Sequence, residues 1–164
     1  MFGRQQNTDF LGELEHQVLQ AWNDNQSAHL GLLDLQNEDT LSSQCYGLYG
    51  KTIRQIWVQI HNQRACFLKN WESPLFQHIE VLHANYPWTR SQLKDKLIQS
   101  HQVMADFFMQ GIRNTLQIPG KQEGIVTAFY QCMSQEIKYR TMIQFGWKSE
   151  FLPTAAATPM RKAL

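Results

Sequence analysis

Gln59, Gln135 and Tyr139 are polar residues on helical stretches where histidines at the same spacing could build a metal site. Residues 135 and 139 are four apart, the spacing that puts two side chains on one helix face, while Gln59 opens the stretch Gln59-Ile60-His61-Asn62-Gln63-Arg64 on another helix. The residue types present change the chemistry. A neutral amide offers a hard, weak oxygen donor that suits calcium, with its roughly 6–8 oxygen ligands, better than zinc or nickel. Tyrosine binds metals well only as phenolate, and with a reference pKa of ~10 its ionisation at pH 7 costs roughly 4 kcal/mol before any bond forms. The three positions are therefore expected to form a polar, hydrogen-bonded cluster without a metal, because amides and a phenol together supply donors and acceptors.

The neighbouring reactive residues do not restore a ligand set. His61 lies two residues from Gln59 and so points about 200° away around the helix, which predicts a structural histidine hydrogen-bonded at a helix interface. His101 continues the face of Leu93, Leu97 and Met104 and is expected to be partly buried in the interior. Cys132 lies three residues before Gln135, and Cys66 seven after Gln59, so one thiol could line the same region. With no Lys or His clearly adjacent to lower its pKa, an inert buried cysteine is the expected state. Glu136 and Arg140, four apart, have the spacing of an ion pair. His16, His29, His78 and His83 have no partner at ligand spacing. No Ser-His-Asp arrangement, glycine-rich phosphate loop or pair of catalytic carboxylates stands out.

The elements that must hold these residues are helical. A first amphipathic helix is predicted from a cap at Thr8 or Asp9, carrying Phe10, Leu11, Leu14, Val18, Ala21 and Trp22 at steps of three and four; the pattern continues through Leu30, Leu33 and Leu35, either unbroken or with a break around Asn23 to Ser27. Gln36-Asn37-Glu38-Asp39 and the segment from Gly47 to Gly50 read as loop. Thr52 opens a second helix that Ser73-Pro74 ends, since proline and the residue before it both resist helix continuation. Residues 75–88 form a connection with a short helical turn. Thr89-Arg90-Ser91-Gln92 has the spacing of a capping box and starts a third helix that Pro119-Gly120 breaks. A fourth helix runs from about Gln122 to Phe145, with Gly146 as its C-cap. The fold class is all-α, a four-helix bundle with a long crossover connection between the second and third helices. One domain over residues 8–150 and a loosely attached tail over 151–164 are expected.

Composition bounds the partners. At 164 residues with 43% hydrophobic content, a single domain of this size buries roughly 70% of its unfolded surface. Fifteen Lys and Arg against fourteen Asp and Glu give a net charge of +1 without a basic cluster, which argues against nucleic acid and anionic membrane as partners. Cys45, Cys66 and Cys132 are odd in number and widely separated, as in a reducing cytoplasm. No apolar run approaches the ~20 residues that span a bilayer.

The segment from Gly50 to Leu68, the opening Thr89-Arg90-Ser91-Gln92-Leu93, and Ser134-Gln135-Glu136-Ile137-Lys138-Tyr139-Arg140 with Phe145-Gly146 resemble the DinB-like (YfiT-like) helical-bundle family. The family's second helix carries a His-Ile-His-Asn-x-Arg stretch, similar to residues 59–64 here, and its last helix carries His-Glu-x-x-His-Arg, similar to residues 135–140. The resemblance implies an up-down-down-up bundle, often dimeric, whose active members hold a divalent metal on three histidines as hydrolases or thiol-dependent transferases. In this chain those positions are Gln59, Gln135 and Tyr139. The expected function is a binding or assembly module, a homodimer without cofactor, in which His61, His101, Cys132, Glu136 and Arg140 line the former pocket. The alternative is an enzyme with an atypical site, using Tyr139 as general acid, or a nickel, zinc or manganese ion recovered through His101.

Overall fold

The structure, a computed structural model, describes residues 3–45, 50–115 and 122–149. These residues are all-α, with four long helices and one short one. They are α1 (Gly3–Asp34), α2 (Glu38–Ser42), α3 (Ile53–Asn70), α4 (Arg90–Thr115) and α5 (Gln122–Ser149). A 3-10 turn at Pro74–His78 opens the connection from α3 to α4. The expected tail at 151–164, the Pro119-Gly120 break and Gly47 lie outside the described residues. No helix among the described residues is long and apolar enough to cross a membrane.

Local chemistry accounts for the helix starts. Thr52 accepts from Gln55 N while Gln55 Oε1 accepts from Thr52 N, a reciprocal cap that satisfies two otherwise orphaned donors of α3. Thr89 and Gln92 make the same exchange at the start of α4. Three expectations are corrected. Glu38 and Asp39, read as loop, begin α2 because the Asn37 side chain accepts from Thr40 N and caps the turn. Gly146 lies inside α5 and does not end it. Finally, α1 begins at Gly3, ahead of the expected cap, and runs unbroken through Asn23 to Ser27. Asn25 and Gln26 are buried there and bonded to other helices, so tertiary contacts override their poor helix propensity.

In the packing, α4 and α5 each contact both α1 and α3, and also each other. Gly111 of α4 permits the last contact, since a Cβ there would lie 2.6 Å from Ile125 of α5. The interior divides into two apolar clusters. One contains Val18, Trp22, Leu68, Met104, Phe108 and Phe129, and the other Leu33, Trp57, Ile60, Leu93, Leu97 and Ile143. Along α1 and α5 the chain passes from the first cluster to the second, and along α3 and α4 from the second to the first. Between the clusters every long helix contributes polar residues: Asn25, Gln26 and His29 from α1, Arg64 from α3, Ser100 from α4 and Glu136 from α5, all buried.

Candidate functional site

Of Gln59, Gln135 and Tyr139, two meet. Gln59 Nε2 of α3 donates to the Tyr139 hydroxyl of α5 at 2.5 Å. The Gln59 oxygen accepts from Lys51 Nζ at 2.7 Å, so an ammonium, an amide and a phenol form one chain. Gln135 does not join it. It is exposed on α5 and lines a surface depression with Gln131, Ser134 and Lys138. Lys51 sits one residue before the Thr52 cap and follows Gly50, whose φ is 72°. Among the described residues, no three His, Cys, Asp or Glu side chains gather into a set able to hold a metal ion.

The stronger constellation is the buried polar layer below it. Arg64 and Glu136 are both 0% exposed and pair through two bonds, Nε to Oε1 at 2.7 Å and Nη2 to Oε2 at 3.0 Å. Arg64 Nη1 donates to the Leu97 carbonyl (2.8 Å) and Ser100 Oγ (3.0 Å), and Nη2 also donates to Gln26 Oε1 (3.1 Å). All five N–H groups of the guanidinium are thereby used. Its carbon lies 5.1 Å from the centroid of the Trp22 ring, which adds a cation–π contact. Glu136 Oε2 further accepts from Asn25 Nδ2 at 2.8 Å. Burial alone would raise the Glu136 pKa, but the Arg64 charge and hydrogen bonds, helped by His29 and Asn25, hold it below the ordinary carboxylate value. The carboxylate is therefore ionised and fully occupied, which suits a structural anion better than a catalytic base.

Arg140 does not pair with Glu136 along α5, the arrangement their spacing suggested. It donates to the Asn25 side chain (2.7 Å) and carbonyl (3.2 Å), because α1 presents Asn25 between the two residues. Cys132 lies against Glu136, with Sγ 3.9 Å from Oε1, and burial with that negative charge pushes its thiol well above the ordinary value. It is a poor nucleophile there.

The histidines are held in three different ways. His61 is buried, with Nδ1 3.0 Å from the Lys96 carbonyl of α4 and Nε2 2.8 Å from the Glu80 carbonyl of the α3–α4 connection. Burial lowers its pKa against the pull of those two carbonyls, with Arg64 adding to the decrease. Its neighbour Asn62 both donates to and accepts from the Leu82 backbone, so α3 fastens the connection at two successive residues. His101 is partly buried, stacked on Trp22 at 5.4 Å and bonded through Nε2 to Asn23, and burial takes its pKa to about 4. His29 is fully buried edge-on to Trp57, and neither ring nitrogen has a protein hydrogen-bond partner. Its Nδ1 is 3.7 Å from Glu136 Oε2. Burial lowers its pKa to about 4 despite that carboxylate, and Arg64 and Arg140 reinforce the effect.

Lys51, Asn25, Gln26, His29 and Ser100 were not singled out by sequence reasoning. For the α1 residues a signal was present: the apolar stripe Val18, Trp22, Leu33 is interrupted by polar residues at 25, 26 and 29, which are still in core register. No protein-family model, curated protein or solved structure matches this chain.

Proposed function

We propose that the chain is a DinB-like four-helix bundle in which the metal position is taken by the Lys51–Gln59–Tyr139 chain, and that it acts as a non-catalytic binding or assembly module. The alternation of apolar clusters along the helices supports an up-down-down-up order, with residues 71–89 crossing the length of the bundle between α3 and α4. The observation that carries the metal-free reading is the Lys51 contact. The Gln59 oxygen, the atom that would have to ligate a cation, already accepts from an ammonium, whose positive charge repels a metal at the same place. The Gln59 nitrogen in turn donates to the Tyr139 hydroxyl, so both ends of the amide are engaged within the protein.

Elemental analysis of protein purified without chelator or affinity tag tests this reading. Substoichiometric nickel, zinc and manganese are expected, and one equivalent of any of them would overturn it. We further propose homodimeric assembly through the α1–α5 face, where Phe10, Tyr130 and Ile137 are exposed beside an apolar groove walled by Leu14, Val18 and Met133. Light scattering of the purified chain should return twice the monomer mass, and Tyr130→Glu should return the monomer. A wild-type chain of monomer mass would remove the dimer from the proposal.

A further inference from the structure

Beside the Lys51–Gln59–Tyr139 chain is a surface cavity of about 340 Å³ whose polar lining is Lys51, Gln55, Gln59 and Asn62 and whose apolar lining includes Val58 and Ala84. Its volume is at the lower end of the range for small-molecule sites, roughly 300–1,000 Å³. The hydrogen bonds already made inside the protein determine what is left for a ligand. Each of the three amide oxygens is engaged: Gln55 Oε1 by Thr52 N, Gln59 Oε1 by Lys51 Nζ, and Asn62 Oδ1 by Leu82 N. Each amide nitrogen spends one N–H within the protein, on Asn85 Oδ1, the Tyr139 hydroxyl and the Leu82 carbonyl respectively. What remains is one N–H on every amide and two on the Lys51 ammonium, five donors against one free lone pair on each of the three amide oxygens. No carboxylate lines the cavity. The unspent hydrogen-bonding capacity is thus mostly donor, with a positive charge beside it.

We propose that this cavity binds the oxyanion end, carboxylate or phosphate, of a small anionic molecule. Lys51 supplies the charge, the spare N–H groups of Gln55, Gln59 and Asn62 supply directional contacts, and Val58 and Ala84 receive an apolar portion. The amides are held at fixed positions by their other bonds, so little side-chain freedom is lost on binding. An anion on Lys51 shares the ammonium with the Gln59 oxygen, which places the occupied cavity beside the Gln59–Tyr139 bond between α3 and α5. This inference rests on the metal-free reading above, because a cation on Gln59 would displace Lys51 from it.

The test is a titration of the full-length, isotope-labelled chain with inorganic phosphate and, separately, with acetate, at constant ionic strength, followed through the side-chain amide resonances. Saturable shifts at Gln55, Gln59 and Asn62 with at least one of the two probes are expected, and the probe that saturates at lower concentration identifies the oxyanion. Lys51→Gln, a change at an exposed position, should weaken that binding about tenfold or more, since a charge-assisted hydrogen bond is lost. Shifts that stay linear with both probes, or a Lys51→Gln protein that titrates like the wild type, would overturn the proposal. A parallel manganese titration separates the two readings. Paramagnetic broadening centred on Gln59 and Tyr139 would sink the metal-free reading itself, whereas no broadening together with no anion binding would remove only the present inference.

Discussion

Two polar connections join α3 to α5, and they differ in nearly every physical respect. Arg64–Glu136 is fully buried, ionic and bidentate, and draws in α1 and α4 as well. Gln59–Tyr139 is part-buried and uncharged, and ends on an exposed lysine. The buried pair has all its hydrogen-bonding capacity consumed, so it can specify packing but has nothing left for a ligand. The outer chain keeps spare donors beside a cavity, so it contributes little to stability and remains open to binding. In this molecule, burial divides polarity consumed by packing from polarity left partly unspent.

The comparison predicts a graded set of effects. Glu136→Gln should be the most damaging, because it leaves the Arg64 guanidinium buried without its counter-charge; a loss of about 3–5 kcal/mol by urea denaturation is expected. Replacing both partners, Arg64→Met with Glu136→Leu, should recover much of that loss. A double variant as unstable as the single one would contradict the desolvation argument.

Acid should attack the same layer. The folded pKa of His29, about 4, lies below the unfolded value of 6.5, so the unfolded chain takes up its proton first. The stabilisation is complete above about pH 6.5 and is lost as pH falls towards 4, where the loss amounts to on the order of 3 kcal/mol. His101, also near 4, acts with the same sign. The slope of unfolding free energy between pH 6.5 and 4 should therefore fall, without vanishing, in His29→Leu. An unchanged slope would mean that His29 is not held neutral by the layer.

The outer chain should respond weakly. Tyr139→Phe is expected to cost no more than about 1 kcal/mol, the net value of an ordinary hydrogen bond, and a cost equal to that of Glu136→Gln would erase the distinction between the two regions. Smallest of all, Lys51→Ala should leave chemical stability within about 0.5 kcal/mol, as for most surface changes, while weakening anion binding.

The two capping boxes were legible because each is closed by side chains three residues apart: Thr52 with Gln55, and Thr89 with Gln92. The long helices of the second half followed from apolar spacing for a similar reason. At Asn23 to Ser27 local reasoning left continuation and break open. The segment has the composition of a break, and its continuity depends on partners such as Glu136, 111 residues further along the chain from Asn25. The candidate site divides in the same way. Gln59 and Tyr139 could be named from helix spacing, but not the lysine that occupies the Gln59 oxygen, and Gln135 was grouped with them although α5 turns it to solvent.

Helix type, the starts of α3 and α4 and the donor chemistry of Gln59, Gln135 and Tyr139 can be read from the order of the residues, because capping, periodicity and donor chemistry act over a few positions at most. Which charges find each other cannot be read that way. Arg64 could have paired with many carboxylates, and Glu136 had Arg140 one turn away. The choice fell on a partner 72 residues distant because packing four helices leaves one small buried volume in which a guanidinium can satisfy all five donors at once. Desolvation makes every incomplete arrangement costly there.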